Sequence, residues 1–146
     1  MSEPAQFLTL AEEMAGRAAE DPTYAALAIL ADHAALEALV NRLGGEGIES
    51  FNYRARFLPK WHDLCERTLG RQLEVAPDLE RLHALRDALL GSHGQPERLD
   101  RRSSTPPPEV PTGRFGAAEA RWAAETARHV IAGFYRAAGR ELPLWL

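Results

Sequence analysis

Residues 21–45 read DPTYAALAILADHAALEALVNRLGG, and the placing of apolar side chains along this stretch decides the fold class. Asp21 followed by Pro22 is a helix start. The carboxylate can accept from a free backbone N–H of the first turn, and proline suits the first helical position because its missing N–H is not needed there. Beyond it, Tyr24, Leu27, Leu30, Ala31, Ala34, Leu36, Leu39, Val40 and Leu43 cover more than one face of the helix. A surface helix keeps a polar side, whereas one that is apolar on several sides is surrounded. The stretch is expected to be the central helix of an all-α bundle, stopped by Gly44-Gly45.

The flanking segments supply the helices around it. Residues 4–19 place Phe7, Leu10, Ala11, Met14 and Ala18 at helical spacing. Residues 45–56 read as a polar connection. Residues 57–69 form a shorter helix with Pro59 near its start and Gly70 as its stop. Pro77-Asp78 opens another, whose Leu79, Leu82, Leu85, Leu89 and Leu90 make a buried stripe, and Gly91 and Gly94 mark its end. Residues 95–115 include RRSSTPPP and a further proline at 111, which helix interior and central strand both exclude, so a long Pro-rich loop is expected. The last helix, 116–138, carries Trp122, Ala123, Thr126, Val130, Phe134 and Ala137 on one stripe. The tail LPLWL, 142–146, is apolar enough to dock on the bundle or on a partner chain. No internal repeat or domain boundary interrupts residues 1–146. The expectation is one domain, an up-and-down bundle of four or five helices with 4–19 as an added N-terminal helix.

Composition agrees. Of 146 residues, 45% are hydrophobic and 26% charged, ordinary for a globular domain. Alanine, leucine, arginine and glutamate dominate over β-branched residues, which favours helix over strand. The single cysteine, Cys65, makes no internal disulfide and reads as a small buried hydrophobe. No apolar run approaches the ~20 residues of a bilayer span. Met1–Gln6 carries Glu3 and Pro4 without a basic stretch, unlike a signal peptide. A cytoplasmic location without membrane association is expected.

A net charge of -4 argues against broad coating of nucleic acid. The charge is uneven, however. Residues 1–50 hold nine acids against Arg17 and Arg42, whereas residues 81–114 hold six arginines against Asp87, Glu97, Asp100 and Glu109. A local anion site can therefore sit in the second region.

That region contains LRDALLGSHG, residues 85–94. Arg86 and His93 are seven residues apart, which is ~20° short of two helical turns and ~10 Å along the axis, so an unbroken helix would put both on one face. With the helix ending near Gly91, His93 turns into the mouth of the loop. Arginine holds a phosphate through paired hydrogen bonds and stays charged, and histidine exchanges a proton near neutral pH. The same spacing is also met by a solvated arginine and a histidine that caps helix carbonyls.

The segment resembles the signature of the HEPN superfamily (higher eukaryotes and prokaryotes nucleotide-binding domains). There an arginine, a small polar residue and, after a gap of four to six residues, a histidine lie at the end of a core helix. Arg86, Asp87 and His93 match by position, with a gap of six. The alanine-rich helix ending ALEALVN at 35–41, the Pro-rich loop, the last helix and the Pro-containing tail are similar to one bacterial group of that superfamily, over roughly residues 22–142. The resemblance implies a metal-independent endoribonuclease of toxin–antitoxin or defence type that needs no cofactor. It further implies a homodimer whose two arginine–histidine pairs meet across the two-fold axis, RNA as substrate, and a nucleotidyltransferase-like antitoxin as partner. Arg86 would bind and stabilise the phosphate, and His93 would be general acid or base. The alternative is a non-catalytic module of the same fold that binds a nucleotide, RNA or a protein.

Other residues carry two readings each. Glu37 and Asn41, i and i+4 on the central helix, either orient Arg86 or His93 or form a polar pair on one helix or between two. Asp87 either holds Arg86 or caps locally. Ser92 either donates to a phosphate or makes a turn. Arg98, Arg101 and Arg102 either steer RNA or belong to a solvated loop, with Glu97 and Asp100 interspersed. His33, His62, His83 and His129 are scattered, and no metal site is expected from them. Trp61, Trp122 and Trp145 read as core and interface anchors.

Overall fold

The computed structural model of the chain describes residues 2–91 and 115–146. Among these residues there are five helices and no strand: α1 Glu3–Arg17, α2 Pro22–Gly47, α3 Phe57–Leu69, α4 Ala76–Leu89 and α5 Ala117–Ala137. The all-α expectation holds. The Pro-rich stretch 95–114, with Ser92, His93, Arg98, Arg101 and Arg102, lies outside the described residues.

α2 is the centre of the bundle. It packs against α1, α3, α4 and α5, while α5 also touches α1 and α4. Its start follows the sequence, with the Asp21 carboxylate accepting from the Thr23 N–H at 2.9 Å. Twelve of its residues are buried, from Ala25 to Gly44. By length and composition alone α2 would also suit a bilayer span, although the expectation from apolar runs was that no segment would. More than half of its apolar stretch is buried inside the protein, and the helices around it account for that apolarity.

The expected stop at Gly44-Gly45 is corrected: α2 runs on to Gly47. Both glycines are helical, and their role is close approach. A Cβ on Gly44 would lie 2.5 Å from the Phe51 ring, and one on Gly45 would strike the Tyr53 hydroxyl. Phe51 and Tyr53 meet edge to face, so the connection to α3 folds its aromatic pair onto the end of α2. By contrast, Gly70 ends α3 as expected, in the left-handed conformation at φ 71°. α4 buries Leu79, Leu82 and Leu85, ends at Leu89 and turns at Gly91, φ 63°. At the start of α5 the Glu119 carboxylate accepts from the Gly116 N–H.

The main core gathers Trp61, Phe134, Leu36, Leu39, Leu64, Leu79, Leu82 and Val130 between α2, α3, α4 and α5. A second cluster of Ala18, Ala25, Ala28 and Ala120 brings the α1–α2 turn close to the start of α5. Of the tail, Trp145 and Leu146 pack against the core, Leu144 is exposed, and Arg128 on α5 ties the Leu146 carbonyl to Glu12 of α1.

Candidate functional site

Two helical registers face each other across the bundle. On α2, His33, Glu37 and Asn41 follow at i, i+4 and i+8, a polar line on a mostly apolar helix. On α4, His83 and Asp87 are i and i+4, with Arg86 in the last turn. Packing of α2 on α4 joins the lines, and His33 Nε2 lies 3.0 Å from His83 Nδ1. The other ring nitrogen of His83, Nε2, lies 3.3 Å from Asp87 Oδ2, and Asp87 Oδ1 accepts from Arg86 Nη1 at 2.8 Å. His33 Nδ1 is 3.9 Å from Glu37 Oε2.

α3 closes the cluster from the side. Phe57 stacks on the His83 ring, with centroids 5.7 Å apart, and tilts against His33 at 4.6 Å. One turn on, Lys60 reaches Asn41 Oδ1 at 2.8 Å, with the Tyr53 carbonyl at 3.5 Å and Glu37 Oε1 at 3.8 Å. A continuous series of polar side chains thus runs from the Lys60 ammonium through Glu37, His33, His83 and Asp87 to the Arg86 guanidinium.

Burial sets the charge states along this series. Burial foremost, then the Arg86 guanidinium and the second imidazole, push the His33 pKa down to about 3. His83 is also lowered, chiefly by burial, with Arg86 acting the same way and Asp87 and Glu37 opposing. Both rings are neutral at pH 7. A neutral ring carries one N–H. His83 turns Nε2 to a carboxylate, so the proton belongs there and Nδ1 is left to accept. His33 must then donate from Nε2. One arrangement of protons serves the inner part of the series: His33 donates to His83, and His83 presents its N–H to Asp87, while His33 Nδ1 is left without a proton 3.9 Å from Glu37.

Arg86 is the outlet of this series, with its side chain 28% exposed. One N–H is committed to Asp87, and a guanidinium has five to offer, so it can hold an anion while its orientation is fixed from behind. The imidazoles of His33 and His83 are turned to each other and to carboxylates, which suits positioning and not proton exchange with a bound ligand.

The structure therefore brings Arg86, Asp87 and Glu37 into one cluster. Asn41 joins through Lys60, which makes it a polar tie between α2 and α3. Ser92, His93, Arg98, Arg101 and Arg102 lie outside the described residues. Three members, His33, His83 and Lys60, were not expected. A signal existed in the i, i+4, i+8 line His33-Glu37-Asn41 on an apolar helix, which marks a face that needs polar partners. Among the described residues no three metal-ligating side chains converge. Cys65 is buried and its thiol pKa is pushed up to about 12, first by burial, so it packs as a hydrophobe.

One further buried acid stands apart. Asp32 is fully buried, and neither carboxylate oxygen has a hydrogen-bond partner. Burial raises its pKa to about 8; Arg128 pulls it down and Glu12 adds to the rise. A groove of about 360 Å³ between Leu43, Leu64 and Phe134, edged by Arg67 and Arg140, shares no residue with the Arg86 cluster.

No protein-family model, no curated protein and no solved structure matches the chain.

Proposed function

We propose that the chain is a HEPN-like, metal-independent endoribonuclease that works as a homodimer, with Arg86 holding the scissile phosphate and His93 moving protons. The observation that carries this reading is the fixing of the Arg86 guanidinium by Asp87, backed by a neutral histidine pair, at the end of a core helix. A solvated surface arginine needs no such support.

RNA brings its own nucleophile. The 2′-oxygen attacks phosphorus, the 2′-O–P bond forms, and the P–O5′ bond breaks. The 2′-hydroxyl proton goes to a base, and the 5′-oxygen takes one from an acid. Arg86 neutralises the charge that gathers on the non-bridging oxygens. His93 supplies the base or acid, and two copies across a two-fold axis would supply both. The products are a 2′,3′-cyclic phosphate and a 5′-hydroxyl. A toxin or defence role in the cytoplasm, and a nucleotidyltransferase-like antitoxin, belong to the same proposal.

A second reading is a non-catalytic module that binds a nucleotide, RNA or protein. The net charge of -4 favours it. Incubation of the purified protein with total RNA, with and without a chelator, separates the two. The nuclease reading expects cleavage in both conditions and its loss in Arg86→Ala and His93→Ala. Cleavage that survives both substitutions would remove it.

A further inference from the structure

We infer that His83, backed by His33, is a positioning residue for Arg86, and that the pair acts through Asp87 as a fixed strut. This rests on the reading of Arg86 as the phosphate-holding group.

Adjacent helix residues point away from each other, so an Arg86–Asp87 contact is not one that a helix supplies by itself. What faces the other oxygen of Asp87 is His83 Nε2, at 3.3 Å. The ring that carries this nitrogen cannot rotate freely, because Phe57 stacks on its plane and His33 Nε2 sits 3.0 Å from Nδ1. His33 is buried on the central helix and cannot move without the core. The strut therefore runs from the most constrained helix, through two rings, to the one guanidinium that the proposed chemistry uses. It also gives two imidazoles a role in an apolar interface: a leucine pair would pack there but would offer Asp87 no ring N–H. A reacting group must be held to within a fraction of an ångström, and support from behind is how that is done.

The test uses the full chain and has one readout that is independent of RNA. Long-range proton–nitrogen NMR on the wild type at pH 7 should find both rings neutral with the proton on Nε2. A ring that is charged, or protonated on Nδ1, overturns the strut. In the same sample the Arg86 guanidinium should show hindered rotation. His83→Phe keeps the stack on Phe57 but loses the N–H, and should release that rotation. His83→Gln, whose amide can reach Asp87, should restore it.

In cleavage, His83→Phe should lower kcat about tenfold with KM changed less than about twofold, and His83→Gln should return kcat to within about threefold of wild type. Hindered Arg86 rotation in His83→Phe, or wild-type kcat in it while Arg86→Ala is dead, overturns the positioning role. Should Arg86→Ala cleave normally, the nuclease reading falls, and the guanidinium readout still decides the strut.

Discussion

Lys60 carries an ammonium into an interior where an unpaired charge would cost several kcal/mol. Its side chain is 4% exposed, and Asn41, Glu37 and the Tyr53 carbonyl stand around the nitrogen. Lys60→Met fills the same space but strips Asn41 and Glu37 of their partner, so we expect a loss of about 2–4 kcal/mol in denaturant unfolding. Asp32 is the opposite case. Its carboxyl has nothing to bond and stays protonated near neutrality, so folding takes up a proton that the unfolded chain does not hold. Asp32→Asn removes that burden, and stability should rise by about 2–4 kcal/mol at pH 7 and by almost nothing at pH 4. At this scale the sequence was only partly legible. Arg86 and Asp87 stand out by their neighbourhood, whereas His33 and His83 are 50 residues apart and look unrelated until α2 and α4 pack.

The helices were the most legible elements, because stripes of leucine or alanine repeat at the helical period and some ends carry a cap, as Asp21 does at the start of α2. Gly70 shows a stop read correctly: the chain needs a positive φ there, which glycine takes without strain. Gly44-Gly45 shows one misread, since the same residue also serves where two segments come close, and the segment in question, Phe51 and Tyr53, lies in a connection with no periodicity. The two roles predict opposite mutational signs. Gly44→Ala would press on the Phe51 ring and should cost about 1–3 kcal/mol. Gly47→Ala, in the same helix with nothing within 4 Å of a Cβ, should gain about 0.5–1 kcal/mol. Thermal unfolding of the two variants beside wild type checks both.

Across the whole molecule, the buried acid and the buried imidazoles shape the pH dependence of folding from opposite ends. For Asp32 the folded pKa, about 8, lies above the unfolded value near 3.8, so stability falls as pH rises between them. For His33 the folded value, about 3, lies below the unfolded 6.5, so stability falls as pH drops from 6.5 toward 3. His83 acts in the same direction as His33. Between pH 4 and 6.5 these slopes oppose, while above 6.5 Asp32 acts without them. Stability should therefore decline by about 2 kcal/mol from pH 6.5 to 8, at ~1.4 kcal/mol per unit, and the decline should vanish in Asp32→Asn. The same packing of α2, α3 and α4 that buries these groups also aims Arg86, so the proposed chemistry depends on the bundle as a unit.

The most direct measurement is cleavage of an end-labelled RNA oligonucleotide at pH 7 in the presence of chelator, alongside a version with hydrogen in place of every 2′-hydroxyl, by wild type and by Arg86→Ala. The account predicts that wild type cuts the ribose strand alone and leaves cyclic phosphate ends, and that Arg86→Ala is slower by at least about a hundredfold. Equal cleavage by the two proteins, or cleavage of the deoxy strand, would contradict it.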